Sequence, residues 1–487
     1  IPDAGARARG LRTRVIYCRP MFESTPEHAD HVPLPAPPSP YFSGWITLLS
    51  TLVVAALLGL YTWPLSSSPL LGLDRPEESL ERLVSSELDL RAALQHAPAW
   101  EVALYALLAG SGDPIEESIV WYEELTETLD APRAEIYRQI LLAEAGRPAR
   151  ASPALASAEW MGAAYGEAPL EADAGRTLIA EIRERLPENW FADTLVARVA
   201  ARIDERASQA QAESAIAARG ASLLRRSRVL GAGQGLLLAL GLAGLAAVLT
   251  RRAPLAVGAA SVPPTWPFGD GYALFIRGVA GLLGVGIAAG ALLPEGSALL
   301  HLAGFASGIP MLWWTIRYLS ARGGGPAAAF GLRITADGGS GLVTAICVVI
   351  GLGIAGDGII TVVAGALGLH THWADGFPEE ILWDPGWRLV IGTIDGGLWT
   401  PVVEEIAFRG VLYASLRRVT RVTPAVLGSA AIFAAAHGYG PVGFTSALWS
   451  GILWAVAYER TKSLLPGILA HAVNNLMVTV TYLWLYR

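Results

Sequence analysis

The residues best suited to chemistry are Glu404, Glu405 and Arg409, in the run Pro401-Val402-Val403-Glu404-Glu405-Ile406-Ala407-Phe408-Arg409-Gly410. The run reads EExxxR and lies inside an apolar stretch from Leu389 to Leu416. An ionised side chain at the centre of a membrane helix costs about 2.5–3.5 kcal/mol on insertion scales. Two carboxylates and a guanidinium are therefore a heavy load for a helix that only spans. Glu405 and Arg409 stand at i and i+4, share a helix face and can pair. Glu404 is rotated roughly 100° from Glu405 and roughly 140° from Arg409 at 3.6 residues per turn. Glu404 is thus the carboxylate left free to work, and Glu405 the one held by a cation. The competing reading, an ordinary ion pair on an exposed helix, is disfavoured by the apolar flanks.

Two more pairs lie in apolar stretches further along. Phe433 and His437 form FxxxH, and His471 and Asn475 form HxxxN, each pair on one helix face. Glu404, His437 and Asn475 each lie about 13 residues from an expected inner boundary, or ~20 Å at 1.5 Å per residue. His471 is one turn shallower. The spacing predicts that these four polar side chains meet inside the bilayer. Such a set supports hydrolysis, in which water attacking an amide needs a base and the oxyanion needs donors. Glu404 and His437 are suited to hold and deprotonate a water, His471 and Asn475 to donate. Glu404, His437 and His471 also make a candidate zinc ligand set with an open position. The expectation is that no cofactor is required, with zinc as the alternative, because no HExxH pair exists and asparagine is a poor zinc ligand.

These residues need apolar elements to carry them, and the composition supplies them. Of 487 residues 53% are hydrophobic and only 16% charged, against about 25% charged in average soluble domains. Fifty-three glycines suit close helix packing in lipid. The net charge of −7 comes with no basic tract, so a nucleic-acid partner is not expected. Cys18 and Cys347 are far apart and imply neither a disulfide framework nor a CxxC site. Lys462 is the single lysine.

The expected fold is all-α: a polytopic membrane helical bundle of about nine spans with an inserted soluble helical domain. Residues 1–41 read as a disordered segment, with Met21 a candidate start. Residues 42–63 form the first span, and 74–228 are rich in Glu, Arg and Ala with helical periodicity. Residues 229–339 hold spans two to four and a Gly-rich linker. Residues 340–487 hold the rest, the fifth span being interrupted at Gly356-Asp357-Gly358. Arg251-Arg252, Arg317/Arg322, Arg417/Arg418/Arg421 and Arg460/Lys462 fall at alternate loops. The positive-inside rule then places 74–228 outside the cytoplasm.

Glu404-Glu405-x3-Arg409, Phe433-x3-His437 and His471-x3-Asn475, in this order, resemble the motifs of the CPBP intramembrane proteases. These are relatives of the type II CAAX prenyl endopeptidase, also called the Abi family. The resemblance covers roughly 340–487 and leaves 74–228 outside the family's pattern. It implies a membrane-embedded metalloprotease or glutamate protease that hydrolyses a peptide bond, with a peptide or membrane-protein substrate. It implies a water activated at Glu404 and His437, oxyanion donors at His471 and Asn475, and support from Glu405, Arg409 and Phe433. The expected location is a lipid bilayer, the bacterial cytoplasmic membrane, with 74–228 available to a protein partner. Two other classes compete. One is a binding or immunity protein of the same fold without turnover. The other is a transporter using Asp357, Asp395 and Arg277 as pathway charges, for which an inverted repeat is expected and not visible.

Overall fold

The computed structural model describes residues 41–65, 69–109, 112–147, 157–252, 255–294, 297–369 and 371–487. The segment expected to be disordered, with Met21, lies outside them apart from Tyr41. The described residues are all-helical, with no strand among them. The first helix is α1 (Gly44–Leu65). A helical unit follows: α2 (Pro76–Leu94), α3 (Ala99–Ala109), α4 (Pro114–Thr128), α5 (Pro132–Glu144), α6 (Ser157–Tyr165), α7 (Ala172–Arg185) and α8 (Trp190–Arg202). Its helix starts are set locally. Proline occupies the first turn of α2, α4 and α5, where its missing N–H costs nothing. The Asp113 and Asn189 side chains accept from the amides of Ile115 and Ala192, capping α4 and α8. Tyr122, Tyr137 and Phe191 pack at the centre of the unit's core.

The remaining helices are α9 (Arg206–Leu249), α10 (Phe268–Leu292), α11 (Ala298–Ala321), α12 (Pro326–Ala329), α13 (Gly338–Ala366), α14 (Glu379–Trp383), α15 (Gly386–Ile394), α16 (Thr400–Glu404), α17 (Ala414–Leu416), α18 (Val422–Ala436), α19 (Pro441–Thr461) and α20 (Leu465–Tyr486). Residues 386–416 form one continuous motif helix. Two π-helical segments, Asp395–Trp399 and Glu405–Tyr413, separate its α-helical parts.

Each stretch expected to span coincides with a helix. Among the described residues only α9, α10, α13 and α20 are long and apolar enough to cross a membrane by length and composition alone. For two of the other five stretches the shortfall has a physical reason. The 15 residues of α18 reach about 22 Å at 1.5 Å per residue, less than the ~30 Å hydrocarbon core. The motif helix is divided by its π segments. The expected interruption at Asp357 is not found: α13 runs through it without a break. Ser446 of α19 donates to the Asp357 carboxylate at 2.5 Å.

The 44 residues of α9 run unbroken from the helical unit to the far end of the bundle, about 66 Å. α9 and α13 are antiparallel, and Gly241 and Gly351 bring their backbones into contact with no room for a Cβ on either. α10 and α11 flank the motif helix on one side, and α18, α19 and α20 on the other. Gly304 and Gly308 of α11 form a GxxxG face against the motif helix, taking Asp395 and Trp399 respectively. The helical unit docks on the segment that leads into the motif helix. Glu379 accepts from the amides of Asp74 at 2.6 Å and Arg75 at 3.0 Å and from the Ser79 hydroxyl at 2.7 Å. Trp373, Phe377 and Leu382 complete the unit's apolar core.

Candidate active site

The site is built where the motif helix meets α18, α19 and α20. Glu405 and Arg409 are both fully buried at 0% exposure, and Arg409 Nη1 donates to Glu405 Oε1 at 2.8 Å. Isolated ions at such a place would be untenable, so each is surrounded. The guanidinium lies over Phe433 at 4.3 Å and Trp454 at 4.9 Å from the ring centroids, which places ring π-faces against its charge. Two glycines make the room: a Cβ at Gly451 of α19 would crowd Arg409 Nη2, and one at Gly467 of α20 would crowd Glu405 Oε2. Arg409 Nε and Nη2 and Glu405 Oε2 have no hydrogen-bond partner among the described residues. The pair thus shares one hydrogen bond and is enclosed by aromatic faces and tight packing.

His471 of α20 is buried at 3% exposure and stacks flat on Trp454, centroids 4.0 Å apart at 16°. Its Nδ1 lies 3.3 Å from Glu405 Oε1 and its Nε2 lies 3.8 Å from Glu404 Oε2. The ring therefore bridges the two adjacent glutamates. Glu404 differs from its neighbour: its side chain is 24% exposed, and its Oε2 is buried without a hydrogen-bond partner among the described residues. The division read from the helical wheel, with Glu405 on the arginine and Glu404 apart from it, matches this geometry.

His437 ends α18. Its Nδ1 bonds to the Phe433 carbonyl at 2.8 Å. A carbonyl only accepts, so Nδ1 carries a proton in this bond, and Nε2 is the nitrogen that the bond leaves available. The His437 ring meets Phe433 at 4.5 Å and Tyr439 at 5.3 Å between centroids, and Phe433 in turn meets the His471 ring at 6.1 Å. Gly438 follows with φ +68, a turn that takes the chain out of the helix.

Asn475 is held one turn beyond His471, and its contact is with the motif helix. Its Nδ2 donates to the Gly396 carbonyl at 2.8 Å. The reason lies in Pro401. In the π segment the amide of Thr400 bonds to the carbonyl of Asp395, five residues back. In that register the next donor would be residue 401 to Gly396, but proline has no N–H. Asn475 thus fills the bond that Pro401 leaves empty. Of the four polar residues, Glu404 and His471 approach each other, Asn475 sits a turn beyond His471 on α20, and His437 meets Phe433, which also packs against His471.

Glu404, His437 and His471 are the alternative zinc set. Among the described residues no three His, Cys, Asp or Glu side chains gather in a way that holds a metal ion. Both nitrogens of His471 are turned to glutamates, and His437 is engaged by Phe433 and Tyr439.

Trp454, Gly451 and Gly467 were not singled out by the motif reading. Their signal is spacing: Gly467 and His471 stand at i and i+4 on α20, and Gly451 and Trp454 at i and i+3 on α19. In a membrane helix, a small residue one turn from a polar or aromatic one marks a close helix contact.

The helical bundle thus brings Glu404, Glu405, Arg409 and His471 together in its interior, with His437 beside them across Phe433. Residues 386–477 match the family model described as Type II CAAX prenyl endopeptidase Rce1-like. The matched stretch contains Glu404, Glu405, Arg409, Phe433, His437, His471 and Asn475, and begins with α15. No curated protein and no solved structure matches the chain.

Proposed function

We propose that the protein is a multi-pass intramembrane endopeptidase that hydrolyses a peptide bond with a water activated at Glu404. The observation that carries this reading is the contrast between adjacent carboxylates. Glu405 is sealed against Arg409, while Glu404 keeps a buried oxygen without a hydrogen bond among the described residues, 3.8 Å from His471. A base of that kind accepts the proton of water as the water oxygen attacks the carbonyl carbon. It returns the proton to the leaving nitrogen when the C–N bond breaks. His437 Nε2 assists in holding the water. His471 Nε2, which stands 3.8 Å from Glu404 without a hydrogen bond to it, and the second amide hydrogen of Asn475 donate to the oxyanion.

Water activation rests on Glu404 and His437 alone in this scheme, so metal-depleted protein is expected to cleave at its full rate. Loss of activity on chelation, restored by stoichiometric zinc, would overturn that part. The nine helical stretches are assigned as spans, with 74–228 outside the cytoplasm and the Arg417–Arg421 loop inside. Cysteine labelling near Glu124 from the cytoplasmic side only would reverse the orientation. The substrate is a membrane protein or membrane-delivered peptide. A comparison of membrane proteomes from wild type and a Glu404→Gln strain should show uncleaved substrate accumulating and its new terminus missing. Identical termini in the two strains would contradict an endopeptidase.

A further inference from the structure

The helical unit carries a surface unlike the rest of it. α3 has the sequence AWEVALYALLA. Trp100, Leu104, Leu107 and Leu108 stand at i, i+4, i+7 and i+8 and lie on one face of the helix. All four are exposed, at 67%, 47%, 55% and 47%. One flank is anchored: Glu101 receives both Arg228 Nε and Nη2 at 2.7 Å, and the Tyr105 hydroxyl donates to Glu87. A predominantly apolar helix tied down along one polar flank, with much of the rest of its surface open, needs something apolar to cover it.

The depth of α3 follows from the α9–α13 pair. Gly241 of α9 touches Gly351 of α13, and Gly244 lies against Val348, so each step along α9 is a step back along α13. Arg228 is 13 residues before Gly241 and is therefore level with Ala364, 13 residues after Gly351. Arg228 also stands at the edge of the apolar stretch from Val229 to Leu249, which covers about 31 Å at 1.5 Å per residue. That length matches the hydrocarbon core of a bilayer. The Glu101–Arg228 pair thus marks the boundary of the hydrocarbon, and α3 packs on α13 at that level. Val363 and Leu367, on α13 and its flank at the level of Ala364, are exposed at 49% and 68%, so the helix on which α3 packs presents apolar side chains at the same depth.

We infer that α3 is an interfacial helix, which lies in the headgroup–acyl boundary of the leaflet facing the helical unit and buries Trp100, Leu104, Leu107 and Leu108 in lipid. This occupant is favoured over a second copy of the chain because α13 presents exposed apolar side chains at the same depth. It also carries a tryptophan at boundary depth, where aromatic residues concentrate. The inference rests on α9 and α13 crossing the membrane.

The test uses full-length protein in nanodiscs, with both native cysteines replaced and an environment-sensitive fluorophore placed singly by Leu104→Cys, Leu236→Cys or Glu184→Cys. Leu236 lies in the apolar half of α9 and Glu184 is exposed on α7. Brominated lipid should quench the labels at 104 and 236 severalfold more than the label at 184, and aqueous iodide should quench only the label at 184. If 236 is quenched by bromolipid while 104 responds to iodide, α3 faces water and the inference fails. If 104 responds to neither quencher, protein covers the face and the inference also fails. If 236 itself escapes bromolipid, the membrane placement of α9 falls, and this inference with it.

Discussion

Glutamate–arginine pairs occur in two regions of this protein, with opposite designs. In the helical unit Arg198 meets Glu144 through two hydrogen bonds at 2.8 and 2.7 Å, and the arginine side chain is 53% exposed. Glu144 also accepts from Tyr165 at 2.8 Å. Water screens that pair, and solvated pairs contribute about 0–1 kcal/mol. In the bundle Glu405 and Arg409 share a single hydrogen bond at 0% exposure, with three polar atoms left without partners among the described residues. The first pair decorates a surface. The second is costly to assemble and costlier to break, because removing one member strands the other without water. A residue type therefore says little until its surroundings are known. Apolar flanks turn EExxxR from a surface motif into a site.

The contrast can be sharpened by experiment. Asn475→Ala removes the donor to Gly396 and a candidate oxyanion donor together, so turnover should fall by about 10²–10³, as when one oxyanion donor is lost. Asn475→Asp replaces the amide donor with an acceptor facing the Gly396 carbonyl, and its turnover should be at least as low. Turnover within twofold of wild type in either variant would remove Asn475 from the scheme. A smaller effect is expected for Gly467→Ala, which places a methyl against Glu405 Oε2. Overpacking of this kind costs about 1–3 kcal/mol, read as a lowered unfolding midpoint in detergent; an unchanged midpoint would show that the contact yields freely. The smallest effect belongs to the helical unit. Arg198→Gln should change stability by less than about 1 kcal/mol, and a larger loss would mean that solvent does not screen that pair.

Much of this was legible in the sequence, and the exceptions have identifiable causes. The i, i+4 spacing of Glu405 and Arg409 identified the paired carboxylate, because helical periodicity survives in a membrane unchanged. The Rce1-like match at 386–477 agrees with the three motifs that pointed to it. Depth along the helices was less legible. Counting 1.5 Å per residue placed Asn475 level with Glu404, but the π segment and Pro401 shift the motif helix, and Asn475 meets Gly396 instead. The composition change near residue 228 suggested a boundary, yet α9 passes through it, and no proline interrupts Arg206–Leu249. Trp454 went unnoticed because a tryptophan in an apolar helix is ordinary until a histidine is found stacked upon it.

The central claim is that two adjacent glutamates have separate tasks. Its most direct measurement compares Glu404→Gln and Glu405→Gln, each purified in detergent, for unfolding midpoint and for cleavage of the substrate found by the proteomic comparison. Glu404→Gln should unfold within a degree or two of wild type and form no product. Glu405→Gln should lose folded protein, since a broken buried pair costs about 3–5 kcal/mol. Equal loss of folded protein in both variants, or product formed by Glu404→Gln, would contradict the account.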